Sequence, residues 1–178
     1  MFRNNRNQRT KNGSFIAEAP LALWILFMLF TFPFIDMATV LLRYTFVSAA
    51  ARDGALAAAQ SKTYLANASG TDLSAVNSST AAANTTASAF GEITVTSVQT
   101  LILATNISSH QVTQYTSPLA QPADTGNYLY ELETIVQAQI NPLINTGSTL
   151  LSVPGLTSPV PVTVASRQYC EYPQGLNN

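Results

Sequence analysis

Ser14-Phe15-Ile16-Ala17-Glu18-Ala19-Pro20-Leu21-Ala22-Leu23-Trp24-Ile25-Leu26-Phe27-Met28-Leu29-Phe30-Thr31-Phe32-Pro33-Phe34-Ile35 is the stretch on which the fold turns. These 22 residues carry one charge, Glu18, and the run from Leu21 to Phe30 is apolar on every side. At 1.5 Å per residue they would form a helix of about 33 Å, enough to cross a hydrocarbon core of about 30 Å. Asp36 is the next charge. The segment is therefore predicted to be a transmembrane helix. Two other readings compete with it. A cleaved secretory signal has an apolar core of about 7–15 residues followed by a small-x-small site; this core is longer, and Asp36-Met37 follows it. A buried core helix of this length would carry polar residues along one side.

The flanking charges set the orientation. Arg3, Arg6, Arg9 and Lys11 precede the span with no acid among them, whereas the rest of the chain holds four basic residues against all nine acids. A basic head with no aromatic interleaving and no second basic patch does not suit nucleic acid. It suits the positive-inside rule, which keeps the short N-terminus in the cytoplasm and exports the body.

Glu18 is costly in lipid. Acidic or basic residues at the centre of a membrane helix cost about 2.5–3.5 kcal/mol on insertion scales, and less near the interface. Such residues are functional candidates, although a carboxylate at interface depth can also simply reach the headgroups. Gly13 lies five residues earlier. Without a side chain it can stay extended and fit a narrow cleft.

A basic leader, Gly13, four residues, Glu18 and an immediate apolar run together resemble the class III signal of the type IV prepilin superfamily. The resemblance implies cleavage by a membrane-embedded prepilin peptidase between Gly13 and Ser14, with Glu18 as the fifth residue of the mature chain. Ser14 and Ala19 depart from the apolar and aromatic residues common at those two places. Cleavage would remove the leader charges and expose an amine at Ser14 with a pKa of about 7.7–8.0. That amine, from the same or an adjacent subunit, would answer the carboxylate and set the stagger between packed helices.

Beyond the span, Ala38, Leu41, Leu42, Thr45, Phe46, Ala49 and Ala50 recur at helical steps. A single helix from about residue 14 to 66 is predicted, near 80 Å long. Pro20 would fall in its first turns, where a missing N–H is cheap, and Pro33 would kink it. The Ala-rich stretch Ala51-Arg52-Asp53-Gly54-Ala55 suits close packing. That stretch makes residues 11–60 resemble the TadE-like proteins, minor pilins or pseudopilins of the tight-adherence (Tad) pilus. The likeness recurs weakly at Val153–Thr157 and Glu171–Leu176.

Residues 61–90 hold 11 Ser or Thr and 8 Ala. Their composition reads as linker, yet Leu73, Val76, Thr80, Ala83, Ala87 and Phe90 predict a second, weaker helix. Thr71 or Asp72 would cap its start and Gly91 would end it. From Gly91 the period becomes two. Strands are predicted from about Ile93 to Leu103, over Tyr128–Ile140 and over Val160–Tyr169, with a short one within Ser108–Tyr115. One sheet face would pack on the Ala-rich helix. The expected class is α+β, a long N-terminal transmembrane and stalk helix packed on a small antiparallel β-sheet head. The expected divisions are 1–13 leader, 14–35 span, 36–90 stalk and second helix, and 91–178 head.

Little in the sequence points to catalysis. His110 is the one histidine, and its Ser-Ser-His-Gln setting reads as solvated. Glu131 and Glu133 share a strand face, read as solvated too. Cys170 is read as a half-buried strand residue. Four Asn-x-Ser/Thr sequons start at Asn67, Asn77, Asn84 and Asn106. No metal ligand set, cofactor, nucleic acid or small-molecule substrate is expected, and no enzymatic activity. The resemblance implies a structural role in a Tad-type pilus or related secretion filament. Its partners would be the membrane, the prepilin peptidase and other pilin and pseudopilin subunits. The location would be the cytoplasmic (inner) membrane, single-pass, and from there a pilus. An unprocessed membrane-anchored binding or adhesion protein is the alternative.

Overall fold

Alanine and glycine decide where the long helix can be approached closely. The computed structural model describes residues 9–65, 74–143, 153–155 and 157–178. In it α1 runs unbroken over Arg9–Ala59, about 76 Å at 1.5 Å per residue. It is followed by α2 (Ala75–Ser88), β1 (Ile93–Asn106), β2 (Val112–Tyr115), β3 (Tyr128–Ile140), β4 (Val160–Tyr169) and a 3-10 turn at Pro173–Asn177. The four strands form one antiparallel sheet in the order β2-β1-β3-β4. The architecture is α+β, with the C-terminal half of α1 lying against β3 and β4 and α2 against α1 and β1.

Strand alternation builds the core. Ile102 and Ala104 of β1 and Leu132, Thr134, Val136, Ala138 and Ile140 of β3 are buried. Two apolar clusters result. One joins Val47, Ala50 and Ala51 of α1 and Ala83 and Ala87 of α2 to Val136, Ala138 and Ile140. The other joins Ala58, Tyr64, Ala75, Ile102, Leu132 and Leu176. At Gly54 a Cβ would stand 3.0 Å from Thr134 Cγ2 and 3.2 Å from the Ser79 carbonyl. The glycine thus permits the close approach of α1 to α2 and β3. Its neighbour Asp53 accepts a hydrogen bond from Thr86 Oγ1 at 2.7 Å, while Arg52 is exposed.

Several expectations change. The buried stripe of α1 is not Ala38, Leu41, Leu42 and Thr45, which are exposed. It is Asp36, Arg43, Val47, Ala50, Ala51, Gly54, Ala55 and Ala58, because the small residues let the sheet come near and the bulky leucines would hold it off. The helix stops at Ala59, short of residue 66. There the chain turns, and Tyr64 is buried with its hydroxyl donating to the Thr100 carbonyl at 2.7 Å. Tyr64 N–H meets the carbonyls of Gly175 and Asn178. Ser74 caps α2, its side chain accepting from Asn77 N–H; Thr71 and Asp72 lie outside the described residues. The left-handed residue after α2 is Glu92 (φ 67°), not Gly91. Its carbonyl and carboxylate both receive bonds from Asn141, which holds the turn. β1 extends three residues past Leu103 because β2 supplies it with a partner there.

Candidate functional site: the exposed N-terminal helix

The two halves of α1 obey different solvents. From Glu18 to Ile35 no side chain is buried, and Asp36 is the first buried residue after Glu18. Between Leu21 and Met37, twelve large apolar side chains are exposed. Leaving each in water costs about 1.5–3 kcal/mol relative to burial, so the set amounts to on the order of 20 kcal/mol. No described residue of the head covers them. The helix is long and apolar enough to cross a membrane, and membrane association follows from the cost of leaving it wet. Trp24, Ile25, Met28, Leu29, Phe32 and Pro33 line one shallow apolar hollow on it.

The predicted site residues fall within or before this helix. Gly13 and Ser14 are both helical, because α1 begins at Arg9 rather than near Ser14. The extended backbone expected at Gly13 is therefore not its conformation here. A single glycine costs a helix only about 1 kcal/mol, too little to stop one that is apolar for the next five turns. The same early start makes Pro20 an interior residue, where its ring denies the Ile16 carbonyl its usual donor. Glu18 is exposed and stands five residues, or about 7.5 Å of rise, beyond Gly13. Arg9 and Lys11 lie in the first turn of α1; Arg3 and Arg6 lie outside the described residues.

At the opposite border two charged groups were not foreseen as buried. Asp36 (3% exposed) accepts a hydrogen bond from Leu143 N–H at 2.6 Å, and Arg43 (5% exposed) donates through a terminal guanidinium nitrogen to the Asn141 carbonyl. The pair is seven residues apart, two turns on one helix face. Together they strap both sides of Pro142 to the point where the exposed helix ends. The only signal in the sequence was their spacing; what they bind lies about a hundred residues away.

The remaining polar groups are placed as follows. His110 is exposed in the turn before β2, with φ 57°. Glu131 and Glu133 share a face, but Glu133 is not solvated. The register aligns it with Arg167, whose Nε donates to Glu133 Oε1 at 2.8 Å. Cys170 is half-buried just past β4, and burial pushes its thiol pKa up. Asp124 closes the loop before β3, accepting from Gly126 N–H and the Asn127 side chain. The Asn127 bond is the main reason its carboxyl lies below the usual range. Comparison with protein families, curated proteins and solved structures returned no match for this chain.

Proposed function

We propose that this chain is a TadE-like pseudopilin, a structural or assembly subunit of a Tad-type pilus or related secretion filament. The observation that carries the reading is the order of parts along one continuous rod. A basic N-terminal stretch and Gly13 precede Glu18, an exposed apolar stretch follows, and the head is clamped to the helix where that stretch ends. In this reading Arg3, Arg6, Arg9 and Lys11 hold the leader in the cytoplasm. The peptidase cuts between Gly13 and Ser14, and Glu18 then fixes the stagger of neighbouring helices. The apolar helix exchanges lipid for other helices when the subunit enters the fibre. The chain performs no chemistry of its own.

A second reading is favoured by one observation. Gly13 and Ser14 are helical, so a peptidase must first unwind them. A chain never unwound would remain a membrane-anchored binding protein. Mass spectrometry of the chain extracted from host membranes separates the two. The pseudopilin reading expects a mature N-terminus at Ser14, lost when Gly13 is replaced by a bulky residue. An intact leader in cells that carry an active prepilin peptidase overturns it. The register role expects Glu18→Ala to be cleaved but poorly assembled; assembly at the wild-type level would refute it.

A further inference from the structure

The sheet has two edges, and the fold treats them differently. In an antiparallel ladder, successive residues turn their N–H and C=O groups alternately to one neighbour and the other. Asn106 N–H donates to the Gln111 carbonyl, so even-numbered residues at that end of β1 face the β2 side. The Thr100 carbonyl faces that side below the end of β2, and the Tyr64 hydroxyl caps it. Further down, the ladder is displaced by a bulge at Val95/Ser97, a feature that discourages edge pairing.

On the other edge, Cys170 N–H donates to the Tyr130 carbonyl. With the β3–β4 register, the even-numbered residues of β4 face β3. Thr163, Ala165, Arg167 and Tyr169 therefore turn their backbone groups away from the sheet, and all four residues are exposed. Pro161 has the same parity and lacks the N–H. The next outward donor, Glu171 N–H, is taken by the Ala59 carbonyl at the end of α1. Between Pro161 and Glu171 no bulge interrupts the edge, and no side chain among the described residues caps its backbone.

We propose that this edge takes β2 of a second copy of the chain, so that the sheet continues head to tail from one molecule to the next. Three observations select that occupant. First, two copies anchored in one bilayer share an orientation, so β4 against β4 would run parallel. An antiparallel β4–β4 pair would put the apolar helices at opposite ends. β2 runs opposite to β4 in the sheet, so β2 of a copy in the same orientation meets β4 antiparallel, with every α1 on the same face. Second, β2 is exposed along its whole length, and its parity turns the backbone groups of Val112 and Gln114 outward. Third, the faces agree. Through the strand registers Val112 and Gln114 lie on the sheet face that carries Tyr169 and Arg167. Of the registers this shared face allows, the proposed one sets Tyr169 (61% exposed) opposite Val112 (54% exposed) of the neighbour, an aromatic–β-branched cross-strand pair. Arg167 stands opposite Gln114. The contact is heterologous and does not close on itself, so it propagates. It goes beyond the filament reading, because an uncleaved anchored chain would make it as well.

Disulfide trapping tests it. Full-length chains carrying Cys170→Ser with either Tyr169→Cys or Val112→Cys are co-expressed, and the isolated membranes are oxidised with copper-phenanthroline. The paired residues would have Cα atoms about 5.5 Å apart, within the range a disulfide spans. A heterodimer from the mixture, with none from Tyr169→Cys alone, is the expected result. Thr163→Cys mixed with Val112→Cys should stay monomeric, since it is displaced by about 20 Å along the strand. Adding Gln114→Pro to the Val112→Cys chain removes an N–H that β1 does not use. It should lower the trapped fraction about tenfold while circular dichroism stays unchanged. No heterodimer in the mixture overturns the proposal. So does trapping as strong at Thr163, or as strong from Tyr169→Cys by itself. Cleavage at Gly13 is irrelevant to every arm, so this result and the test of processing fail independently.

Discussion

Single residues hold the far end of the head together. A Cβ on Gly175 would overlap the Lys62 carbonyl, backbone against backbone, and neither side can yield without breaking the bonds from Tyr64 N–H to the C-terminus. Gly175→Ala is expected to destabilise by about 1–3 kcal/mol. Gly54→Ala should cost less, since its Cβ would meet Thr134 Cγ2 at 3.0 Å and the Ser79 carbonyl at 3.2 Å rather than overlap an atom, and alanine regains about 1 kcal/mol of helix propensity. Thermal melts in detergent, followed by circular dichroism, rank the two; a larger loss for Gly54→Ala would refute the account. Tyr64→Phe leaves the buried Thr100 carbonyl without its donor and is expected to cost about 1–3 kcal/mol. Burial raises the Tyr64 hydroxyl above its ordinary value near 10. The folded state therefore holds this proton more tightly than the unfolded chain does. The stability tied to it is full below about pH 10 and is lost as pH rises through the folded value. Tyr130, raised mainly by burial as well, titrates in the same window. Tyr64→Phe should therefore flatten, but not abolish, the fall in melting temperature above pH 10.

At the scale of elements, the decisive contact is the strap of the β3–β4 connection onto α1. Asp36→Ala leaves the Leu143 N–H without its acceptor, and Arg43→Ala leaves the Asn141 carbonyl without its donor and opens a void. Each should cost about 1–3 kcal/mol, with Arg43→Ala the larger because a long buried stem is lost as well. Hydrogen exchange should rise first around residues 141–143. Uniform loss of protection across β1 and β3 instead would mean that the strap is no local unit. The strand bounds of β3 and β4 were legible as period-two runs ended by proline-containing turns. The buried face of α1 was not, because hydropathy favours Leu41 and Leu42, and only the size of Gly and Ala tells which face a sheet can approach.

At the scale of the whole molecule, α1 divides at Asp36 into a part with no buried side chain from Glu18 to Ile35 and a part that forms one wall of the core. A chain beginning at residue 36 retains every buried residue described. It is expected to be water-soluble, with the circular dichroism of a mixed helix–sheet protein. The full chain should stay in the membrane fraction after carbonate extraction and require detergent. A truncated chain that aggregates unfolded, or a full chain released by carbonate, would break this division.

Sequence by itself determined the membrane-length helix, the α+β class and three of the four strands closely. These are signals of composition and period, which need no distant partner. Tertiary structure alone decided that Asp36 and Arg43 are buried, that Glu133 is paired, that Tyr64 ends the stalk and that one sheet edge is guarded while the other, among the described residues, is open. Each depends on two segments 30 to 110 residues apart in the chain. Contacts of that kind are set by how close the backbones can come, which no local pattern encodes.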